Sequence, residues 1–246
     1  MRVFVVNSGS SSIKYQLIDV DSAEVVLAGL LERLGEDGGD AADHEHGMRV
    51  VLDRLGDEAA SIDAVGHRVV HGGSAFTEPV LVSDDVVAGI EAVSELAPLH
   101  NPANLAGIRA ARTVLHAVPH VAVFDTAFHQ SMPAEAYTYA IDRAVAERHG
   151  VRKYGFHGTS HEFVARGAAD LLGRPLDELT LIVLHLGNGA SVAAIDSGRS
   201  IDTSMGLTPL QGLVMGTRSG DLDPAVLVHL HRVAGLSVDE LDTLLN

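Results

Sequence analysis

The stretch VNSGSSSIKYQLID, residues 6–19, joins two apolar, strand-like segments through a run of small polar residues. A tight hairpin needs only two turn residues, typically Asn-Gly or Gly-X. Here the residues from Asn7 to Ser12 supply hydroxyls, backbone N–H groups and one glycine, and Lys14 follows. That hydrogen-bonding capacity is typical of an anion-binding loop, such as one that holds phosphate. The alternative is a serine-rich turn that satisfies only its own backbone.

A similar pattern returns later in the chain. The segment FVVNSGSSSIKYQLID (4–19) is echoed by IVLHLGNGASVAAID (182–196), so that Asn7 with Gly9 corresponds to His185 with Gly187. A repeated strand–turn–strand predicts two similar halves rather than a solenoid array. Two such turns facing each other would grip a polyphosphate from both sides. We place the boundary near HQSMPAE, which predicts halves of residues 1–131 and 132–246.

The composition excludes several classes of protein. The 246 residues are 46% apolar and 20% charged, which is ordinary for a globular protein. A formal charge of −16 argues against nucleic acid as a partner. The chain has no cysteine, and no apolar run approaches the roughly 20 residues of a membrane span. Met1 leads directly into a strand, so we expect a soluble, cytoplasmic protein without a targeting segment.

Strand-like and helix-like segments alternate along the chain. HNPANLAGIRAARTVLHAV predicts a helix with Asn101 as N-cap and proline at its first position. GDLDPAVLVHLHRVAG predicts a second helix, capped by Asp223 and ended by Gly235. LSVDELDTLL carries a capping box, Ser237 with Glu240. We expect residues 35–47 to be an exposed loop. The predicted strands are 3–6, 13–20, 25–30, 65–70, 121–124, 181–186 and 191–195.

Two charged residues lie within or directly after apolar strands. Arg68 lies within AVGHRVVHGG, where it must pair with an acid or bind an anion, because burying an unpaired guanidinium is costly. Asp125 follows the strand VAVF, at the end where open α/β sheets bind ligands. A structural salt bridge for Arg68 and a helix-capping role for Asp125 are the alternatives.

The second half contributes a histidine and an arginine in glycine-rich loops. YGFHGTSHEFV places His157 in a turn that enters a helix capped by Thr159 or Ser160, with His161 on the helix surface. The two histidines lack a third ligand at a suitable spacing for a metal. QGLVMGTRSGDLDP presents Arg218 in a polar loop. With no Walker loop and no G-x-S-x-G elbow, these residues favour phosphoryl transfer.

Six blocks of sequence together resemble one family. They are VVNSGSSSIKYQLID, HRVVHGG, PLHNPANL, FDTAFHQSMP, YGFHGTSHEFV and HLGNGASVAAIDSGRSIDTSMGLTPLQGLVMGTRSGDLDP. In this order they resemble the acetate kinases, acyl-phosphate-forming kinases of the actin-like ATPase superfamily. The resemblance implies an α/β chain with a duplicated actin-like, ribonuclease H-like fold, in which two lobes hold mixed sheets flanked by helices.

The resemblance also implies a role for each candidate residue. Asn7 would help to hold the metal, Asp125 would be the acid/base or positioning residue, and His157 and Arg218 would stabilise the phosphoryl group. Arg68 would bind the carboxylate or acyl phosphate. The residues implied to contact the nucleotide phosphates are Ser10, Ser11, Ser12, Lys14, His185, Leu186, Gly187, Asn188 and Gly189. Those implied to line the acyl pocket, besides Arg68, are Val70, Leu99, His100, Phe156 and Pro209.

The implied reaction transfers the γ-phosphate of ATP directly to acetate, giving acetyl phosphate and ADP, with Mg²⁺ or alternatively Mn²⁺. A carboxylate is already ionised at neutral pH, so no general base is needed and we favour Asp125 as an orienting residue. Arg68, Arg218 and the metal would cancel the repulsion between the two anions. The resemblance further implies a homodimer in the cytoplasm.

The family's chains are longer than this one. We expect the adenosine-binding loops, a metal-binding glutamate and the closing helix to be missing after Asn246, which would weaken ATP binding and turnover. A non-catalytic remnant that binds phosphate or acyl phosphate is therefore one alternative, and a propionate-preferring kinase is another. A sugar kinase of the same superfamily is disfavoured, because a sugar needs several polar partners that a small apolar pocket lacks.

Overall fold

Strand pairing divides the chain into two units, Met1–Ala127 and Phe128–Asn246, in a computed structural model that describes all 246 residues. The short 3₁₀ helix Ala127–Ser131 spans this division. The predicted boundary between residues 131 and 132 falls at the end of that helix. Each unit begins its sheet with an antiparallel hairpin.

The first unit is a six-stranded mixed sheet with the order β3-β2-β1-β4-β6-β5. The strands β1, β4 and β6 run parallel to one another, whereas β2, β3 and β5 pair antiparallel with their neighbours. The strands are β1 (Arg2–Ser8), β2 (Ser12–Asp19), β3 (Glu24–Glu32), β4 (Ala64–Val69), β5 (Val80–Leu81) and β6 (His120–Phe124). The helices are α1 (His44–Leu55), α2 (Asp84–Ala92) and α3 (Asn101–Val114), with 3₁₀ turns at Gly56–Ser61 and Ser94–Leu96.

Two apolar clusters hold the first unit together. Phe4 and Leu17 of the hairpin pack with Met48 of α1 and Ala111 of α3. The other cluster joins the ends of β4 and β6 to α2 and α3; it contains Val69, Ile90, Leu105, Ile108, Ala122 and Phe124. Helix α3 belongs to both clusters, so it fixes the carboxyl ends of the parallel strands.

The second unit has a three-stranded antiparallel sheet with the order β7-β8-β9. Its strands are β7 (Thr180–Leu186), β8 (Ala190–Asp196) and β9 (Arg199–Thr203). Its helices are α4 (Ala134–Tyr137), α5 (Arg143–Arg148), α6 (Gly158–Leu172), α7 (Ala225–His229) and α8 (Val238–Leu245), with a 3₁₀ turn at Leu176–Glu178 and a π-helical turn at Leu230–Ala234. One face of the sheet packs on α6 through Ala165, Val183, Ala193 and Ile195.

The two hairpins share more than their sequence pattern. Four residues, 9–12, connect the paired Ser8 and Ile13, and three, 187–189, connect Leu186 and Ala190. Each second strand then has a register shift against its third strand, between Leu17 and Ile18 and between Ala194 and Ile195. Counted from the first residue after each turn, both shifts fall between the fifth and sixth residues, which supports a duplication. The predicted α/β fold with a mixed sheet flanked by helices is confirmed. The sheet of the second unit, however, is antiparallel throughout rather than mixed.

Several sequence-based predictions of local structure are wrong. Helix α1 begins at His44, inside the predicted loop, because the Asp43 carboxylate accepts a hydrogen bond from the backbone N–H of His46. The N-cap of α3 is His100 rather than Asn101, whose side chain holds a neighbouring loop instead. Strands β5 and β9 escaped detection because β5 has two residues and β9 is largely polar.

The C-terminal helices agree with the sequence more closely. The capping box of Ser237 and Glu240 is present, and Gly235 is left-handed, as predicted. The helix before them starts one residue late, since Pro224 rather than Asp223 is its N-cap. The Asp223 carboxylate still accepts a hydrogen bond from the N–H of Ala225. The last turn of this helix is π-helical, which the apolar pattern does not reveal.

Candidate active site

An ion pair between a buried carboxylate and a half-buried guanidinium joins two neighbouring strands of the first unit. Nε of Arg68 lies 3.1 Å from each carboxylate oxygen of Asp125, and Nη2 lies 2.6 Å from Oδ2. Nη1 contacts Oδ1 of Asn7 at 3.4 Å. The Asp125 side chain is 3% exposed and that of Arg68 is 39% exposed. The guanidinium therefore reaches from a buried carboxylate to the surface of the unit, and Arg68 has the salt bridge that one sequence interpretation expected.

Parallel pairing explains why these three side chains meet. Asn7 lies near the end of β1, Arg68 near the end of β4, and Asp125 directly after β6. The three strands are adjacent and parallel, so their carboxyl ends share one edge of the sheet. Ligands bind at this edge in open α/β sheets. The sequence-based placement of Asp125 at a strand end is thus correct.

The electrostatics of the pair favour a fixed positive charge. Burial lowers the pKa of the Arg68 guanidinium, but the charge and hydrogen bonds of Asp125 outweigh it and raise that pKa above its ordinary value. Arg68 therefore stays protonated at every physiological pH. Because its Nε and Nη2 bind one carboxylate in a fixed plane, the orientation of the guanidinium is set before any ligand arrives.

A framework of amides supports this edge, and sequence reasoning missed it. Asn101 accepts a hydrogen bond from the backbone N–H of His71 at 3.1 Å and donates one to its carbonyl at 2.9 Å. Asn104, one turn later on α3, accepts from the N–H of Val70 and donates to the carbonyl of Ser8. Both asparagine side chains are buried. Their spacing could have revealed this role, because two polar residues three positions apart on the buried face of a helix need hydrogen-bond partners.

The loop after β4 is also held from β6. Thr126 accepts a hydrogen bond from the N–H of Gly72, and Nδ1 of His71 accepts one from the N–H of Gly73. Burial lowers the pKa of His71 to about 4, so its ring is neutral with the hydrogen on Nε2. These contacts fix the backbone that follows Arg68.

The first turn presents polar side chains that the protein itself does not use. Its backbone is closed by a hydrogen bond from the N–H of Gly9 to the carbonyl of Ser12, and His44 contacts the carbonyl of Gly9. Lys14 is exposed and stands opposite Asn7 in the hairpin, so both side chains lie on one face. The hydroxyls of Ser10, Ser11 and Ser12 make no hydrogen bond within the protein.

In the second unit, His157 begins α6 in a strained conformation. It is the N-cap of the helix and is left-handed, with φ of 58°. Neither Thr159 nor Ser160 caps the helix, which corrects the sequence-based prediction. The preceding Gly155, with φ of 74°, allows a close approach, because a Cβ there would lie 2.4 Å from Thr203. A non-glycine residue in this region costs of order 1 kcal/mol or more, and such strain clusters at functional sites.

The prediction that His161 lies on the helix surface is wrong, because it is completely buried. Its Nε2 lies 2.8 Å from Oγ of Ser191, and Nδ1 of His157 lies 2.9 Å from the same oxygen. The ring of His185 lies 4.0 Å from that of His157, and His185 Nδ1 contacts Oγ of Ser160 at 2.8 Å. His185 and Ser191 are a cross-strand pair on the face of the sheet covered by α6.

Arg218 approaches the turn of residues 187–189 from a loop whose two ends are joined by hydrogen bonds. Asp221 accepts a hydrogen bond from the N–H of Gly212 and its own N–H donates to the carbonyl of Gly212. A Cβ on Gly189 would lie 3.5 Å from Nη1 of Arg218 and 3.5 Å from Nε2 of His157. Three residues that were predicted separately, Gly189, His157 and Arg218, are thus brought together.

The predicted acyl-pocket residues are divided between the units. In the first unit Val70 is buried, His100 is partly buried and Leu99 is largely exposed. In the second unit Phe156 is buried and Pro209 is partly buried. Their common pocket stays a prediction.

The protein contains no group of three or more His, Cys, Asp or Glu side chains arranged to hold a metal ion. Oxygen ligands near the strand edge are Asn7 Oδ1 and the Asp125 carboxylate. Such a sparse set fits a hydrated Mg²⁺ that is bound mostly through substrate phosphates, which is how this ion is usually held. None of the helices has the length and apolar character needed to cross a membrane.

Comparison with known proteins places these features in one family. The model of the acetokinase family matches residues 2–246. The acetate kinase of Clavibacter michiganensis subsp. michiganensis is 60% identical, and the alignment covers 99% of this chain and 67% of that protein. The acetate kinase of Leifsonia xyli subsp. xyli is 62% identical, with 99% and 66% covered. This chain thus spans about two thirds of the length of these relatives.

Solved structures agree with the sequence comparison. The crystal structure of Porphyromonas gingivalis acetate kinase matches with a TM-score of 0.94 and 42% identity, over 100% of this chain and 67% of that one. A propionate kinase from Francisella tularensis subsp. tularensis matches with a TM-score of 0.92, the same identity and the same coverage. On the family match and these relatives, the chain belongs to the acetokinase family.

Proposed function

We propose that this chain carries the phosphoryl-transfer residues of an acetate kinase, which converts ATP and acetate to ADP and acetyl phosphate. The observation that supports it best is the Arg68–Asp125 pair at the carboxyl ends of parallel strands, in a chain whose relatives are named acetate kinases. In the reaction a carboxylate oxygen forms a bond to the γ-phosphorus as the bond to the β,γ-bridging oxygen breaks. ADP leaves with that electron pair, and no proton has to move.

Arg68 lowers the main barrier, which is the repulsion between two anions. Acetate has a pKa in the range of Asp and Glu, so it reaches the site already ionised. Arg68 supplies a permanent cation, and Asp125 holds its plane through Nε and Nη2. Asp125 is therefore an orienting residue, because its two oxygens already accept hydrogen bonds from Arg68 and the reaction needs no base.

His157 and Arg218 stabilise charge on the transferring phosphoryl group. Both present a nitrogen beside Gly189, in a turn without a side chain that would occupy the space. Donors aimed at the equatorial oxygens are worth most in the transition state, where charge is spread over them. The hydroxyls of Ser10, Ser11 and Ser12, with Lys14, bind the remaining phosphates of the nucleotide.

The family uses ATP, generally with a divalent metal, and we propose Mg²⁺. Asn7 Oδ1 would hold the metal's water shell, and the metal when bound supplies positive charge to the nucleotide phosphates. We also propose that the protein acts in the cytoplasm as a homodimer, as its resemblance to acetate kinases implies. Sedimentation velocity tests the dimer.

The function is tested by trapping the product with hydroxylamine after incubation with ATP, Mg²⁺ and acetate. We expect acetyl hydroxamate to form, and Arg68→Ala to reduce its rate about a thousandfold. The matched control is Arg109→Ala on α3, since Arg109 pairs only with the exposed Glu91. A folded protein that binds acetyl phosphate but forms no hydroxamate supports the phosphate-binding remnant instead.

Propionate is a second candidate acceptor, because the structure of a propionate kinase matches nearly as well as that of an acetate kinase. One added methylene changes discrimination by only 10- to 200-fold in an apolar pocket. The ratio of kcat/KM for acetate and propionate therefore decides between them. We expect acetate to be preferred, and a ratio below one assigns propionate as the substrate.

A further inference from the structure

One buried hydroxyl connects two histidines of the second unit. Ser191 is completely buried, and its Oγ lies 2.9 Å from Nδ1 of His157 and 2.8 Å from Nε2 of His161. No other hydrogen bond to this oxygen exists in the structure. A hydroxyl donates one hydrogen and accepts others. If both rings donated to it, its own hydrogen would be buried without an acceptor, so it must donate to one ring and accept from the other.

The surroundings of His161 decide which ring donates. Burial, together with His129 and His185, lowers its pKa to about 4, so the ring is neutral and carries one hydrogen. Its Nδ1 is buried and has no hydrogen-bond partner. A hydrogen on Nδ1 would be an orphaned donor, the rarest and costliest case, whereas a hydrogen on Nε2 is satisfied by Ser191. His161 therefore donates through Nε2, and Ser191 passes its own hydrogen to His157.

We propose that Ser191 and His161 are positioning residues that hold His157 in the neutral tautomer with its hydrogen on Nε2. Oγ–H of Ser191 donates to Nδ1 of His157, which leaves Nε2 as the donor. That nitrogen and Nη1 of Arg218 each lie 3.5 Å from the position that a Cβ on Gly189 would occupy. The inference rests on the proposed function in one respect, namely that this donor faces the phosphoryl group.

The consequence is a histidine that acts without transferring a proton. A neutral Nε2–H donates to a phosphoryl oxygen while Arg218 supplies the charge. The reaction neither releases nor consumes a proton, so a fixed donor suits it better than an acid. The tautomer of an imidazole is set by the hydrogen bond at its other nitrogen, and here that bond comes from Ser191.

The tautomer is measured directly by two-bond ¹H–¹⁵N correlation spectra of the protein labelled with ¹⁵N-histidine. Loss of one ring pattern in His157→Gln assigns the His157 signals. We expect a protonated Nε2 and a bare Nδ1 in the native protein. The measurement needs neither ATP nor acetate, so its failure is distinct from failure of the proposed function.

Two substitutions of His161 test whether Ser191 by itself fixes the His157 tautomer. His161→Gln keeps an N–H near the position of Nε2, and we expect the His157 tautomer to be unchanged. His161→Leu fills the same buried site without a donor. Ser191 then has only Nδ1 of His157 as an acceptor for its hydrogen, so we expect the His157 tautomer to be retained in this variant as well. Thermal unfolding of each variant reports whether it folds.

Ser191 supplies a second, independent pair. Ser191→Thr retains the hydroxyl and is expected to preserve the tautomer and, in the hydroxamate assay, kcat. Ser191→Ala removes the donor to Nδ1, so we expect part of the His157 rings to carry their hydrogen on Nδ1 and kcat to fall at least tenfold with KM little changed. The proposal is overturned if native His157 carries its hydrogen on Nδ1, or if Ser191→Ala and Ser191→Thr give the same His157 spectrum.

Discussion

The hairpin β1–β2 of the first unit and the hairpin β7–β8 of the second are built alike but buried on opposite faces. Phe4, Val6 and Ser8 are at most 4% exposed, beneath α1 and α3. The matching positions of β7 are Ile182, Leu184 and Leu186, which are 73%, 53% and 70% exposed. Helix α6 covers the other face of β7 instead.

This contrast shows that the strand's own pattern does not choose the buried face. Both β1 and β7 are apolar on both sides, as strands buried on two faces are. The helix that packs against the strand makes the choice. We call Ile182, Leu184 and Leu186 the β7 apolar face. The same contrast applies to charge, because the arginine of the first unit is locked to a buried acid and that of the second is not.

The largest expected effect on catalysis separates the two arginines. Arg68→Ala leaves Asp125 buried without its charge partner, so we expect activity to fall about a thousandfold and the free energy of unfolding to fall by roughly 3 kcal/mol. The side chain of Arg218 makes one hydrogen bond, to the sulfur of Met215 at 3.6 Å, and no ion pair. Arg218→Ala should lose about a hundredfold in rate but less than about 0.5 kcal/mol of stability. Urea unfolding measures the stability of each variant and the hydroxamate assay measures its rate. An equal loss of stability in Arg68→Ala and Arg218→Ala would contradict this prediction.

The two faces of the equivalent strands predict opposite outcomes for one substitution. Val6→Lys buries an ammonium group beneath α1 and α3, and we expect it to cost more than about 4 kcal/mol and prevent folding. Leu184→Lys lies on the β7 apolar face, so stability should change by less than about 0.5 kcal/mol. It should also reduce self-association and binding of the dye ANS, because it interrupts an exposed apolar patch. Circular dichroism measures the folding and stability of the two variants, and sedimentation measures self-association. A destabilised Leu184→Lys would show that the β7 apolar face is covered in solution.

Acid should weaken both units through buried histidines. Burial lowers the pKa of His67 to about 3 and that of His161 to about 4, whereas histidine in an unfolded chain titrates near 6.5. Below pH 6.5 the unfolded chain binds protons that the folded chain does not, so stability is lost as the pH falls. Each histidine contributes about 1.4 kcal/mol per pH unit across its window.

Urea unfolding at pH 7.5, 6.5, 5.5 and 4.5 measures this slope. His67→Gln and His161→Gln should each reduce by one the number of protons that the chain takes up on unfolding in acid. The free energy of unfolding of each variant should therefore depend less on pH. The effect of His67 should continue to lower pH, because its folded-state pKa is the lower of the two. Slopes equal to that of the native protein would mean that these rings are not buried neutral.

The smallest effect compares two helical glycines. A Cβ on Gly107 of α3 would lie 1.9 Å from Oγ of Ser8, so Gly107→Ala should destabilise the first unit by about 1–3 kcal/mol. Gly167 of α6 has nothing within 4 Å of its Cβ position. Gly167→Ala should stabilise the second unit by about 0.5–1 kcal/mol, since alanine is the better helix former. Thermal unfolding distinguishes the two, and a shift in the same direction for both would contradict the expected close contact of α3 with β1.

The parts of the site that depend on local pattern were predictable from sequence. Arg68 within a strand, Asp125 after a strand and the two turns all follow from apolar runs that end in polar residues. His161, Ser191, Asn101 and Asn104 were missed or misread. Each is polar and buried, and its partner is at least 30 residues away in sequence, so no local pattern reports the contact.

By itself the sequence determined the α/β class, the duplicated strand–turn–strand and the family, because these rest on periodicity and on blocks of residues read in order. Only the tertiary structure decided that Arg68 is paired with Asp125, which face of each hairpin is buried, and that Ser191 bridges His157 and His161. The physical reason is the range of the interactions. Periodicity and turn chemistry act over a few residues, whereas burial and hydrogen-bond pairing depend on which distant segment packs alongside.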